Sequence, residues 1–327
     1  MKKMALILAL VLSLTFLGGC GGGNADKESH RTDENWPNDS ITLIVPWKAG
    51  GGGDVSARLV AKYLSENLGS NIIVDNREGG SGMVGTSYFY GMKQDGSYLL
   101  FNSEPFYSNN ILENNATFTQ EDLAILATYI IDPACIAIIP NERFGNFDEF
   151  NAYIQENPGV VKIGLNGGSS GVILVKLLMD YYNWDVKLVY YSTASEMHAA
   201  IMGNHIDALT TTSSAGVEST PIILASNERI EKLPDATTYE EMTGNELTLG
   251  TTRYFAVSAE FKENYPDRYQ VLVDALKATL TSDEYIAAVE ESGMGSVAVY
   301  YGPEESMQIS KEMFGIVEKY SDLMKNE

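Results

Sequence analysis

The stretch that decides the fold runs from Ile41 to Val74: ITLIVPWKAGGGGDVSARLVAKYLSENLGSNIIV. Ile41 to Trp47 is a short apolar run of the kind a buried parallel strand presents. Ala49 to Gly53 follows as a Gly-rich turn, and Asp54 suits the N-cap of a helix. Val55, Leu59, Val60, Tyr63, Leu64 and Leu68 then recur at helical spacing until Gly69 ends the run. Ile72 to Val74 reads as a second strand. Strand, turn, helix and strand form a crossover unit, and a crossover connection makes the two strands parallel.

Working outward, Asn76 to Gly85 (NREGGSGMVG) is another Gly-rich loop entering an apolar helix, and Asp95-Gly96 turns the chain into a third strand at Tyr98 to Phe101. Ile125 to Ala127 and Ile136 to Pro140 are further predicted strands, followed by a surface helix from Phe147 to Asn157. The pattern then restarts. Val160 to Leu165 is a strand, Asn166 to Gly171 a Gly/Ser turn, Val172 to Tyr182 a helix and Val186 to Tyr190 a strand. Thr193 with Glu196 fits a capping box for a helix ending at Gly203, and Ile206 to Leu209 is the next strand. From Pro266 to Lys325 the chain reads as mostly helical, with Met307, Phe314 and Val317 as packing residues.

At 327 residues, with 44% hydrophobic residues and 20% charged ones, the chain suits two folded domains rather than a disordered polymer. Its net charge of −22 argues against nucleic acid and against a polybasic membrane binder, both of which need a basic footprint. A small anionic ligand stays compatible, because a few local donors decide a binding site. Cys20 and Cys135 are the two cysteines and give no disulfide framework, and the three histidines lack zinc-ligand spacing.

The N-terminus reads as an address. Lys2 and Lys3 precede an apolar run from Met4 to Leu17, too short for a membrane span but suited to a signal-peptide core. It ends in Leu17-Gly18-Gly19-Cys20, which resembles a bacterial lipoprotein cleavage box; that resemblance implies a diacylglyceryl group on Cys20. Gly21 to Asp39, Gly-rich and then polar, reads as a tether.

Two Gly-rich turns, Gly50 to Asp54 and Gly167 to Gly171, each run into a helix. Free N–H groups and the positive end of the helix dipole make such turns anion sites, although either turn alone also suits a plain structural role. The first lacks the Lys-Ser/Thr ending of a phosphate-binding loop, and Val55 stands where a dinucleotide fingerprint needs its third glycine. No Gly-x-Ser-x-Gly motif occurs, and no motif ties a histidine to Ser169 or Ser170. His198 and His205 read as surface or packing residues, and Cys135, between Ala134 and Ile136, as a buried inert thiol. Trp47 and Tyr190-Tyr191 flank the turns and suit either a core or a cleft wall.

Ile41 to Arg58, Val74 to Gly85 (VDNREGGSGMVG), Asp95 to Phe101 (DGSYLLF), Gly164 to Gly171 (GLNGGSSG), Tyr190 to Ser192, Gly203 to Asp207 (GNHID), Arg229 and Leu233 to Glu241 (LPDATTYEE) form an ordered set. From about residue 40 to the C-terminus this set resembles the extracytoplasmic solute receptors of tripartite tricarboxylate transporters, the TctC-like or Bug family. The resemblance implies an α/β, two-domain periplasmic-binding-protein clamshell of type II with the ligand in the interdomain cleft. It implies a ligand carboxylate held by the two turns, partly through water. Carried over, Trp47, Gly51, Gly52 and Asp54 are first-turn residues, with Asp54 more a cap than a contact, and Asn166, Gly168, Ser169 and Ser170 are second-turn residues. Ser103 and Glu104, and Thr211 and Thr212, are further candidates. The chain departs from the family at Val172, where histidine is frequent, at Ser258 to Phe261, where a Pro-x-Gly-Thr-Pro stretch is common, and at Glu104, where small polar residues are usual. A cleft-facing Glu104 would disfavour a simple dianion.

The expected organisation is a signal peptide over 1–19, a tether over 20–39, a first domain of 40–137 plus 252–327, and a second domain of 138–251. The expected function is a lipid-anchored extracytoplasmic receptor that captures a small organic carboxylate and delivers it to separate membrane permease subunits. No catalysis, cofactor, metal or nucleic acid is expected, and the chain is expected to be a monomer. An extracellular enzyme on the same scaffold and a non-transport surface lipoprotein are the alternatives.

Overall fold

The computed structural model describes residues 36–37, 39–214 and 219–324. The predicted signal segment, Cys20 and nearly all of the predicted tether lie outside the described residues.

The opening unit folds as its sequence predicts. Strand β1 (Ile41–Val45) leads through the Gly-rich turn into helix α1 (Gly52–Leu68), and β2 (Ile72–Asn76) returns parallel to β1, from Ile41 opposite Ile72 to Val45 opposite Asn76. Helix α2 (Met83–Tyr90) and strand β3 (Tyr98–Glu104) follow, with β3 parallel to β1 on its other side. Short helix α3 (Phe106–Glu113) then leads to β4 (Leu123–Ile138).

Strand β4 differs from the two short strands expected. It is one strand of 16 residues, and Asp132-Pro133 sits inside it rather than breaking it. Its first part pairs antiparallel with β10 (Gly250–Ser258), and its last part, Ala134 to Ile138, pairs with β7 (Ala208–Thr212). Pro133 stands where the strand passes from one half-sheet to the other. It has no N–H to leave unpaired, and its carbonyl accepts from Ser213 N–H at 2.9 Å.

The second half repeats the first. Helix α4 (Phe147–Glu156) precedes β5 (Lys162–Asn166), α5 (Ser170–Tyr182), β6 (Lys187–Tyr191) and α6 (Ala194–Met202), and β5 is parallel to both β6 and β7. Thr193 caps α6 by accepting from Glu196 N–H at 3.2 Å, while the Glu196 carboxylate takes Ser192 N–H, so only half of the expected capping box forms. Strands β8 (Thr220–Leu224) and β9 (Thr237–Thr238) and helix α7 (Tyr239–Thr243) complete this half. After β10 come α8 (Ala259–Asn264), α9 (Pro266–Leu280), α10 (Asp283–Glu291), strand β11 (Ala298–Tyr301), α11 (Pro303–Lys319) and α12 (Ser321–Met324). The main strand order is β2-β1-β3-β10-β4-β7-β5-β6, with β11 added on β4.

Each half-sheet has its own core. Leu43, Val45, Phe101, Phe255 and Val257 pack with Val60 and Leu64 of α1 and Leu272 and Leu276 of α9. Ile136, Ile163, Leu165, Ile173 and Leu174 form the other core, which also takes Met313 and Val317 of α11. Val317 packs as the helical spacing predicts, but the other buried apolar residue of that helix is Met313, with Phe314 only half-buried. Cys135 is buried, and desolvation together with the nearby Asp132 carboxylate pushes its thiol well above the ordinary range, as an inert core thiol requires.

Candidate functional site

The first turn joins the C-terminal end of β1 to α1. Gly51, not Asp54, occupies the N-cap, and no side chain caps the helix. The first backbone N–H groups of a helix have no partner inside it, so the turn presents them uncovered. Asp54 is the third residue of the helix, three positions past the N-cap. It points back: its carboxylate accepts from Gly50 N–H at 2.8 Å, Arg58 Nε at 2.9 and 3.0 Å, and Asn76 Nδ2 at 2.9 Å. Burial alone would raise the Asp54 carboxyl, but the hydrogen bonds from Arg58, Gly50 and Asn76 prevail and hold it below the usual carboxylate range. Asp54 therefore shapes the turn, and its charge is engaged there.

The second turn joins β5 to α5. Ser169 is the N-cap, again without a side-chain cap, because its hydroxyl donates to the Asn166 carbonyl at 2.7 Å. Ser170 Oγ donates to the Gly250 carbonyl at 2.7 Å, tying α5 to the start of β10. Gly168 has φ +76°, and a Cβ there would lie 3.1 Å from Asn109 Nδ2 and 4.0 Å from Phe106.

Aromatic side chains link the turns. The Trp47 ring meets Phe106 edge-on at 4.9 Å between centroids, and its ring would lie 3.1 Å from a Cβ on Gly53. Phe106 thus lies between Trp47 of the first turn and Gly168 of the second. Asn109, one helical turn on from Phe106, is 6% exposed, and its Oδ1 is buried without a hydrogen-bond partner among the described residues.

The remaining sequence candidates divide by strand alternation. Phe101 belongs to the α1-side core, so Ser103 projects to that same face, opposite Arg253 on β10. Glu104 projects to the other face and is fully buried. Its carboxylate accepts from Ser108 N–H at 3.1 Å, Ser108 Oγ at 2.7 Å and Ser310 Oγ at 2.7 Å, joining β3 to α3 and α11. Desolvation raises its carboxyl despite these bonds. Its side chain does not join the two turns. Thr212 lies on the same face of β7 as Thr210, whose side chain packs where a Cβ on Gly171 would stand, whereas Thr211 lies on the opposite face.

Phe106, Asn109 and Arg253 sit among these groups and were not singled out by the sequence. Phe106 and Asn109 carry no motif. Arg253 interrupts what otherwise reads as a strand (RYFAV), and only the β3–β10 pairing brings it beside Ser103. Two cavities, of about 720 and 450 Å³, flank the crossover at Pro133, one toward Asn227 and Arg229, the other toward Ile309 and Met313; neither is lined by the turn residues.

Two half-sheets, each with parallel strands flanking the long antiparallel pair β4 and β10 and each with a Gly-rich helix end at a strand's C-terminal edge, define a two-lobed α/β ligand-binding clamshell. The chain belongs to the tripartite tricarboxylate transporter family receptors, TctC, whose family model matches residues 56–319. A protein from the TAR-I ttuE-ttuC' intergenic region of Agrobacterium vitis is 26% identical over 82% of this chain and 79% of its own length. BugT of Bordetella pertussis is 26% identical over 58% of each chain. The chain spans about half (52%) of the length of a matching Pseudomonas relative, at 24% identity. Among solved structures, a TctC solute-binding protein from Polaromonas superposes with TM-score 0.69 at 24% identity, covering 89% of this chain and 99% of that one. A Rhodopseudomonas palustris protein solved with adipate gives TM-score 0.77 at 20% identity, covering 89% and 98%. MatC from Rhodopseudomonas palustris, with bound malate, gives 0.71 at 18% identity, covering 89% and 100%.

Proposed function

We propose that this protein is an extracytoplasmic solute receptor, lipid-anchored through Cys20, that closes on a small organic carboxylate and delivers it to the permease of a tripartite tricarboxylate-type transporter. The observation that carries this reading is the pair of uncapped helix ends: α1 and α5 each begin without a side-chain cap, one in each half of the molecule, with Trp47 and Phe106 between them. An oxyanion is what such ends bind. The two lobes follow residues 40–137 plus 252–327 and residues 138–251, joined along the β4–β10 pair, except that Ala134 to Ala137 pair with β7 and Met313 and Val317 of α11 pack in the second core. Ligand contacts to both lobes stabilise the closed form. Binding without turnover is favoured because the Ser169 and Ser170 hydroxyls donate to backbone carbonyls rather than to a base. Relatives solved with adipate and malate make acyclic dicarboxylates the first ligands to try.

The test is thermal unfolding against di- and tricarboxylates, aromatic acids, amino acids and sugars, after removal of co-purified ligand by mild unfolding. A ligand at 100 times its Kd adds about 2.7 kcal/mol to stability. A shift confined to carboxylates is the expected result. Shifts with sugars alone, or turnover of any acid by the pure protein, would overturn the reading.

A further inference from the structure

Arg253 stands on β10 in the middle of the sheet, half-buried, on the face covered by α1. Four other arginines in the described residues have carboxylate partners: Arg58 with Asp54, Arg77 with Asp75, Arg143 with Asp207 and Arg229 with Glu241, all at 2.7–2.9 Å. Arg253 has no ion pair among the described residues, in a chain with twice as many acidic as basic side chains (44 against 22). Its Nη1 instead makes two long contacts, to Ser56 Oγ at 3.4 Å and Met294 Sδ at 3.6 Å. A half-buried guanidinium with no carboxylate beside it among the described residues and only long contacts is free to take an anion.

Its position says which anion. Nη2 lies 3.8 Å from where a Cβ on Gly52 would stand, which places the cation at the uncapped first turn of α1. The nearest acid on that helix, Asp54, is committed to Gly50, Arg58 and Asn76. Ser103 is the cross-strand neighbour of Arg253 on the same face. A planar guanidinium fork, free helix N–H groups and a serine hydroxyl together suit a carboxylate. An independent sign of a polar ligand comes from the same seam, where the nine-tenths-buried Asn109 leaves its amide oxygen unpartnered beside the second turn.

We propose that Arg253 is a specificity-determining residue that holds a carboxylate of the ligand against the first turn, so that the receptor takes anionic acids and rejects their neutral amides. This rests on the receptor reading and assigns the charge selectivity of its site to one side chain.

Calorimetric titration of the full-length protein, freed of ligand, tests it with adipate and malate and with their neutral diamides. The wild type is expected to bind at least one diacid and not its diamide. Arg253→Gln should bind that diacid roughly 10- to 100-fold more weakly, the range for a lost charged hydrogen bond. Arg253→Lys, which keeps the charge but not the fork, should fall between them; it also serves as the deciding variant if Arg253→Gln, checked by circular dichroism, does not fold. Wild-type affinity for the diacid in a folded Arg253→Gln or Arg253→Lys, or equal affinity of the wild type for diacid and diamide, overturns the role of Arg253 and leaves the receptor standing. Failure of the wild type to bind either diacid, with a thermal shift for sugars alone, overturns the receptor reading and this inference together.

Discussion

At Gly250 the backbone of β10 passes so close to β4 that a Cβ would overlap the Asp132 carbonyl oxygen, and Gly250 is held there by its ladder pairing with Pro133 and by the Ser170 hydroxyl on its carbonyl. Gly250→Ala should cost about 3 kcal/mol or more, read as a large drop in Tm or as failure to fold. Asp54 shows a different kind of residue-scale dependence. Its carboxyl is held below its ordinary value of 3.8, so its contribution is present above that value and is lost as pH falls through the lower, folded value. Asp54→Asn should therefore be less stable than wild type at neutral pH by roughly 1–2 kcal/mol, the partly exposed Arg58 keeping the loss modest. The gap between the two proteins, measured by denaturant unfolding, should narrow as pH falls below 3.8. A gap that stays constant would mean that the Asp54 charge contributes nothing to the turn.

Elements are held to one another by a second carboxyl with the opposite sign. Glu104 at the end of β3 receives Ser108 from α3 and Ser310 from α11, but burial raises its carboxyl above 4.5. The folded state then binds its proton more tightly than the unfolded state does. The stability tied to that proton is full below 4.5 and declines as pH rises through the folded value. Glu104→Gln removes the decline, so its stability relative to wild type should rise with pH above 4.5, measured by denaturant midpoints across the acid-to-neutral range. A parallel pair of profiles would show the carboxyl ionising without penalty. The orientation of Glu104 was not legible in the sequence, because it depends on the alternation of a strand whose end extends three residues past the apolar run Tyr98 to Phe101. The opening β1-α1-β2 unit was legible, since strand, turn and helix each carry local signals. Strand β4 was not, because Asp132-Pro133 reads locally as a break and only the change of partner from β10 to β7 gives the proline a place. Strand β11 and the Arg253–Ser103 pairing were hidden for the same reason: both are defined by partners distant in sequence.

Across the whole molecule, the two Gly-rich turns belong to different half-sheets, so a ligand that touches both must act on the arrangement of the lobes. Asn109 and Phe106, on the first side, approach Gly168, on the second, within the 3.1 and 4.0 Å that a methyl group would occupy. Gly168→Ala would place a Cβ in that gap at a positive φ of +76°. The backbone strain alone costs about 1–2 kcal/mol, which lowers Tm by only a few degrees and leaves each lobe's core untouched. On the receptor reading the added methyl acts where the two turns approach each other, so ligand affinity should bear the larger effect. We expect at least a roughly tenfold loss of affinity for whichever carboxylate the wild type binds, equivalent to about 1.4 kcal/mol against the closed, liganded state. Trp47 reports the event, because its ring rests on Phe106, whereas Trp184 lies in the core of the second half. Ligand should change the emission of the wild type, and the change should vanish in Trp47→Phe and require higher ligand concentration in Gly168→Ala. An unchanged affinity in Gly168→Ala would remove the second turn from the ligand's contacts and leave the first turn to bind alone, without a structural reason for the lobes to close.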